Sequence, residues 1–320
     1  MLKYIAKRLL WIIPIILGVA VLVFTMMIFC PGDPAEIILG ASATAAELEA
    51  KRAELGLNDP YILRLAKYLS DVFLHFDLGT SWITNIDIAS SIAERMPRTL
   101  MLAVVTLLIA YAAGIPLGIM AATHQNRWQD HLSMIIALIG VAIPNFWLAL
   151  MLILVFSVNL GWLPAMGIGG LHYYILPAVS NCAGALANCA RQTRSSMLDV
   201  IRADYITTAR SKGVPERTVI VKHGLKNALI PIITMMGTTF GRLLGGAMII
   251  ETIFSIPGMG AYIIGAVNNR DYPIVQSGSI ILAIAFSIAM LLIDLLYAAV
   301  DPRIKARYQA GSKKKVAKNG

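Results

Sequence analysis

Charge is what this chain has least of. Lys, Arg, Asp and Glu make up 14% of its 320 residues, and 58% of the chain is hydrophobic. An ordinary soluble domain holds about 25% charged residues. The deficit excludes a water-soluble globule and points to lipid as the solvent. Cysteine is scarce as well: Cys30, Cys182 and Cys189 form no CxxC and no even-numbered framework, which excludes a disulfide scaffold. Cys182 and Cys189, seven residues apart on an apolar helix, read as small packing residues, with a soft-metal pair as the alternative. No G-x-x-x-x-G-K-[ST] phosphate loop occurs. The five histidines are scattered without metal-ligand spacing, and no Ser–His–Asp set can be assembled. Neither catalytic residues nor a metal site is therefore expected.

What the chain does have is long hydrophobic runs. Six windows reach the roughly 20 apolar residues that a membrane-spanning helix needs: 9–29, 99–122, 132–158, 173–190, 228–250 and 279–300. The fourth is short and polar, with Asn181 and Asn188 inside it. The first follows Lys3, Lys7 and Arg8 in the manner of a signal peptide. It is long for a signal core and no small-x-small site follows, so it reads as a retained helix. The expected fold class is all-α, a polytopic membrane protein with six transmembrane helices.

The net charge of +9 suggests nucleic acid until the charges are placed along the chain. Lys and Arg gather before the first run, between the fourth and fifth (Arg191, Arg194, Arg202, Arg210, Lys212, Arg217, Lys222 and Lys226) and after the sixth. With six spans these segments share one side, the cytoplasmic one by the positive-inside rule. Both termini are expected there, and the charge is a topology signal rather than a nucleic-acid footprint. The expected organisation is a cytoplasmic N-terminus and first span (1–30), an extracytoplasmic helical segment (31–98), a five-helix core (99–300) and a basic cytoplasmic tail (301–320).

Two loops stand out. In 31–98, Thr44-Ala45-Ala46-Glu47 has the form of a capping box, and Gly56 stands where a helix would end. Asp59-Pro60 reads as an N-cap with Pro at the first helical position. Ile62, Leu65, Leu69, Val72 and Phe73 then follow at helical spacing, so two short helices are expected. The segment either receives an external partner or caps the bundle. In 191–227, Gly213 is placed to end one amphipathic helix and Pro215 to open a second. Together they make a compact basic knob, for which the alternative is a surface resting on anionic lipid.

The stretch Asp204-Tyr205-Ile206-Thr207-Thr208-Ala209-Arg210-Ser211-Lys212-Gly213 resembles the EAA loop of bacterial ABC importer permeases, with Gly213 and Pro231 in place and Thr207 where the family has glutamate. Further matches run along the chain: Pro31-Gly32-Asp33-Pro34, Leu55-Gly56-Leu57, Asp77-Leu78-Gly79, Ile175-Leu176-Pro177, Glu251-Thr252-Ile253-Phe254, Pro257-Gly258-Met259-Gly260, Arg270-Asp271-Tyr272-Pro273 and Asp301-Pro302-Arg303. Their order is similar to the branch importing dipeptides, oligopeptides, glutathione and nickel. The resemblance implies a type I ABC importer permease fold in the bacterial inner membrane and transport by alternating access. Implied partners are a second permease, two ATPase subunits holding ATP and Mg, and an extracytoplasmic substrate-binding protein, with no cofactor in this chain. Asp204, Tyr205, Thr208, Ala209, Arg210, Lys212 and Gly213 would couple it to the ATPase. Pro144-Asn145-Phe146-Trp147, Trp162-Leu163-Pro164-Ala165-Met166-Gly167 and Met248-Ile249-Ile250-Glu251 look like nickel permeases. Lys222-His223-Gly224-Leu225 and Asn126-Arg127-Trp128 look like the glutathione and peptide type.

Ionisable residues within a membrane span point to function, and Arg242 lies midway along the fifth. One helical face runs through Thr234 or Met235, then Thr238, Arg242 and Gly245 or Gly246. Met235, Thr238 and Arg242 are read as pathway-lining. Gly237, Gly241 and Gly245 form a stripe for close helix approach. Arg242 would hold a carboxylate of a peptide or chelator; the alternative is a structural partnership with a helix carbonyl or with a carboxylate such as Asp294. Asn145, Asn181 and Asn188 read as interhelical hydrogen-bond residues. Two other functions remain to be weighed. An ion-driven secondary transporter would show paired broken helices and acidic relays, where only Asp294 is a buried acid, and a membrane enzyme lacks a catalytic set.

Overall fold

The computed structural model describes residues 2–300, so the expected basic tail at 301–320 lies outside the described residues. In chain order the helices are α1 (Leu2–Phe29), α2 (Pro34–Leu39), α3 (Ala45–Glu54), α4 (Tyr61–Leu74), α5 (Ile88–Thr123), α6 (Trp128–Ala142) and α7 (Asn145–Leu152). Then follow α8 (Ile175–Ile201), α9 (Asp204–Ser211), α10 (Glu216–Thr218), α11 (Lys226–Ile253), α12 (Met259–Asn268) and α13 (Tyr272–Val300). Among the described residues the only β pairing is an isolated bridge between Thr80 and Asp87.

Among the described residues four helices are long and apolar enough to cross a membrane: Arg8–Phe29, Ile88–Thr123, Glu216–Ile253 and Tyr272–Leu296. They contain the first, second and fifth expected spans and most of the sixth. The third, expected as one helix, is broken. Trp128–Ala142 and Asn145–Asn159 meet at 97°. Pro144 causes this, because a residue before proline is pushed out of the helical region, and Ile143 is extended (φ −79°, ψ 124°). After α7 the chain continues as a π-helical Ile153–Asn159. The fourth expected span is α8, whose 27 residues are about 40 Å long. It is long enough to cross and more polar than its neighbours.

The chain divides into two compact units. One comprises Lys7–Thr99 and Pro257–Ser287. Here the Thr44–Glu47 capping box forms as read, with both reciprocal bonds present, and Gly56 (φ 68°) follows the end of α3. Glu47 accepts from the Thr44 backbone and hydroxyl, which holds its pKa below the ordinary 4.5. Two readings need correction. Pro60, not Asp59, is the N-cap of α4, because Pro60 itself has extended ψ. And there are three short helices before α5, not two: Asp33 caps α2 by accepting from the Ala35 N–H, with Pro34 at the first position. Of the apolar residues read on α4, Val72 is buried and Leu69 and Phe73 pack with it, whereas Ile62 is 71% exposed. Buried polar groups tie the loops together: Asp271, 2% exposed, accepts from the Ser81 hydroxyl and the Trp82 N–H, and the Ser277 hydroxyl donates to the Leu78 carbonyl.

The other unit holds, among the described residues, 2–6, Leu100–Ile256 and 288–300. Its core gathers Ala110 and Tyr111 of α5, Cys182 and Cys189 of α8, Phe240 and Leu243 of α11, and Ile293 of α13. Both cysteines are free and buried in this apolar cluster, as packing residues are. Small residues let the helices close in. A Cβ on Gly237 would lie 2.7 Å from Met290 Sδ, so α11 meets α13 there, whereas one on Gly245 would meet nothing within 4 Å. The expected glycine stripe is therefore a contact at one end and open at the other.

Candidate functional site

Two constellations in the second unit contain the residues singled out in the sequence. The first is the knob. After α8, Arg202 and Ala203 turn the chain into α9, an eight-residue helix with Asp204 in its first turn, where a carboxylate suits the helix dipole. Ile206 is its anchor, 1% exposed, and α9 rests on the π-helical Val219–Leu225. Asp204, Tyr205, Thr207, Thr208, Arg210, Ser211, Lys212 and Gly213 are exposed, and Ala209 is half-buried. The helix ends where Gly213 takes φ 73°, a conformation that favours glycine, and its N–H returns to the Arg210 carbonyl at 2.9 Å.

Arg210 then closes the turn on Glu216 with two parallel bonds, 3.1 Å from Nε and 2.7 Å from Nη2. This fork-to-fork pairing fixes orientation as well as distance, and the partnership raises the Arg210 pKa. At the other end of α9, Asn227 Nδ2 donates to the Tyr205 hydroxyl at 2.9 Å. The second helix of the knob is not a separate short element. Pro215 opens α10 as expected, but α10 runs without a break through Val219–Leu225 into α11, and Pro231 lies inside α11 rather than at its start.

An ion pair that sequence reading missed braces the approach to the knob. Asp130, 2% exposed at the head of α6, accepts from Arg194 Nε at 2.6 Å and Nη2 at 2.7 Å. It also accepts from the Asn126 N–H at 3.0 Å. The partners stand 64 residues apart, so no local spacing announces them.

The second constellation lies along α11. Thr234, Thr238, Arg242, Gly245 and Ile249 are exposed in one stripe. Met235 is half-buried and packs against the core. Arg242 borders a cavity of about 270 Å³ together with Asn145, Asn181, Asn188 and Thr239. Asn145 and Asn181 are joined across α7 and α8 at 3.3 Å, as interhelical hydrogen-bond residues should be. Among the described residues Arg242 has no ion pair with Asp294 or any other carboxylate, and no group of three His, Cys, Asp or Glu is placed to hold a metal ion.

Residues 114–306 match the family described as binding-protein-dependent transport system inner membrane component, and residues 1–103 match the N-terminal part of such membrane components. The glutathione transport system permease protein GsiC of Escherichia coli (strain K12) is 44% identical over 305 residues, spanning 95% of this chain and 99% of that protein. Its counterpart in Salmonella paratyphi A is 43% identical over the same coverage. Inward-facing structures of the MetNI methionine ABC transporter share the fold. One, 19% identical with a TM-score of 0.54, covers 67% of this chain and 97% of that one; another, 17% identical, reaches 0.56. A multi-pass helical architecture, a capped knob on a long helix and family matches spanning nearly the whole sequence lead to one conclusion: this chain belongs to the binding-protein-dependent transport system inner membrane components, the permease subunits of ABC importers.

Proposed function

We propose that this permease is one half of the membrane channel of an ATP-driven importer, that it pairs with a second, related permease, and that its cargo is a peptide or a glutathione-like molecule. α9 is the coupling helix. Asp204, Tyr205, Thr208, Ala209, Arg210, Lys212 and Gly213 engage a separate ATPase subunit, which holds ATP and Mg. Residues 31–98 receive a substrate-binding protein on the opposite side, and both termini are cytoplasmic. Thr234, Thr238 and Arg242, flanked by Met235, border the path.

The observation that supports coupling is the construction of the knob. One side chain, Ile206, anchors α9 while nearly every other residue from Asp204 to Gly213 is left exposed, and the knob passes directly into α11. A buried anchor under a polar, rigidly turned face is what a partner cleft needs. The cargo reading is supported by the name that the 44% identical relative bears. A cationic Arg242 on the stripe is suited to carboxylates and repels a bare divalent ion.

The test is co-purification and uptake together. Tyr205→Ala with Thr208→Arg, in the full chain expressed with its partners, is expected to leave the permease in the membrane but to lose the ATPase subunit and the uptake of labelled glutathione or dipeptide. Retention of the ATPase by this variant would overturn the coupling assignment. Nickel uptake without peptide uptake by the unsubstituted chain would overturn the cargo. An ion-gradient carrier would take up cargo with no ATPase bound at all.

A further inference from the structure

The cavity beside Arg242 has a hydrogen-bonding balance of its own. Asn181 Oδ1 is taken by Asn145 Nδ2 at 3.3 Å, and Asn188 Oδ1 by Arg191 Nη2 at 2.6 Å. What both amides still offer is N–H. Asn181 is 3% exposed, and its Nδ2 has no partner among the described residues, although buried polar groups are almost always bonded. Arg242 adds a guanidinium, which has five N–H donors and no acceptor. Three donor-bearing residues, Asn181 and Asn188 of α8 and Arg242 of α11, thus line one cavity, although the Asn181 N–H itself lies buried in its wall. Asn145, whose Nδ2 is spent on Asn181, lines the same cavity and keeps Oδ1 as an acceptor. The room is built in: a Cβ on Gly184, which lines the cavity, would meet nothing within 4 Å.

We infer that this cavity is a cargo subsite for a carboxylate and the amide carbonyl next to it. Arg242 pairs the carboxylate, the N–H groups of Asn188 meet carbonyl or carboxylate oxygens, and Asn145 Oδ1 accepts a peptide N–H, while Asn181 holds Asn145 in place from behind the wall. The inference rests on the import reading above and deepens it by naming the part of the cargo that the membrane subunit itself reads. The chemistry follows from polarity. A ligand rich in oxygen acceptors satisfies the unpartnered donors, whereas a bare cation finds a guanidinium and a single amide oxygen.

Gly184→Cys tests this in the full chain, carried with its partners in native membranes and with Cys30→Ser, since Cys182 and Cys189 are buried. The thiol is expected to react about tenfold faster with an anionic thiosulfonate than with a cationic one of equal size, as a charged cleft concentrates counter-ions. A dipeptide with a free carboxylate is expected to slow the reaction, and Arg242→Gln to abolish both effects. Asn188→Cys provides a second attachment point should the glycine variant fail to accumulate. Equal rates for the two reagents, or no protection by a dipeptide that the unsubstituted chain takes up, would overturn the subsite. Dipeptide uptake is measured in parallel. Its absence would remove the import reading, while the charge preference of the thiol stands or falls separately.

Discussion

α8 shows two unlike faces. Toward α5 it is sealed: a Cβ on Gly114 would lie 2.8 Å from Cys189 Cβ and 2.9 Å from the Leu186 carbonyl, and one on Gly118 would lie 2.5 Å from Thr193 Cβ and 2.6 Å from the Ala190 carbonyl. Backbone meets backbone there, with no space for a methyl group. Where it lines the cavity bordered by Arg242 the same helix leaves room: a Cβ on Gly184 would meet nothing within 4 Å, and Asn181 keeps a buried N–H without a partner among the described residues. Polarity divides in the same way. On the sealed side Cys189 and Thr193 pack against or bond to protein atoms. On the open side the polar groups are left over. The difference teaches that one helix can serve as scaffold and as site, and that small residues have opposite meanings on its two faces: contact on one, vacancy on the other.

Substitutions can break that contrast. The largest effect is expected from Gly118→Val. It forces α5 off α8 against a backbone carbonyl and should destabilise by about 3 kcal/mol, read as a drop in thermal unfolding temperature in detergent. A smaller loss follows from Asp130→Ala, which strips Arg194 of its partner. Removing one member of a buried pair costs 3–5 kcal/mol; with the Arg194 side chain 26% exposed, about 2 kcal/mol is expected, accompanied by weaker coupling of ATP hydrolysis to uptake. Asn181→Ala removes one long hydrogen bond and one unsatisfied donor together, so stability should move by less than about 1 kcal/mol while dipeptide uptake falls. If Asn181→Ala were as damaging to stability as Gly118→Val, the open face would be structural after all. Gly184→Ala sharpens the contrast from the other side. It meets no neighbour, and alanine is the better helix former, so it should be neutral or stabilising by up to about 1 kcal/mol.

Much of this was legible in the residues. Four spans follow from hydrophobic run length, and the Thr44–Glu47 box and the Gly213 end of the knob from local capping chemistry. Arg242 stood out because a charge in an apolar run is costly. Two local signals were passed over: Asp33-Pro34 is the same cap-then-proline pattern read at Asp59-Pro60, and Ile143-Pro144 breaks a run that hydropathy alone shows as continuous. Other features have no local signal. The pair of Asp130 with Arg194 joins distant positions, α12 is a ten-residue helix below the length that hydropathy marks as a span, and the donor excess of the cavity depends on which amide oxygen is already taken.

The unbroken helix from Glu216 to Ile253 has a mechanical consequence. Its 38 residues make a rod about 57 Å long. A tilt of about 5° at the Glu216 end sweeps the far end through about 5 Å, comparable to one helical pitch. With Arg210 clamped to Glu216 at one end and Arg242 roughly two-thirds of the way along, such a rod has the geometry of a lever arm. Under the proposed coupling, a small tilt imposed at the knob would reach the cavity as a larger displacement, with no relay of side chains between them.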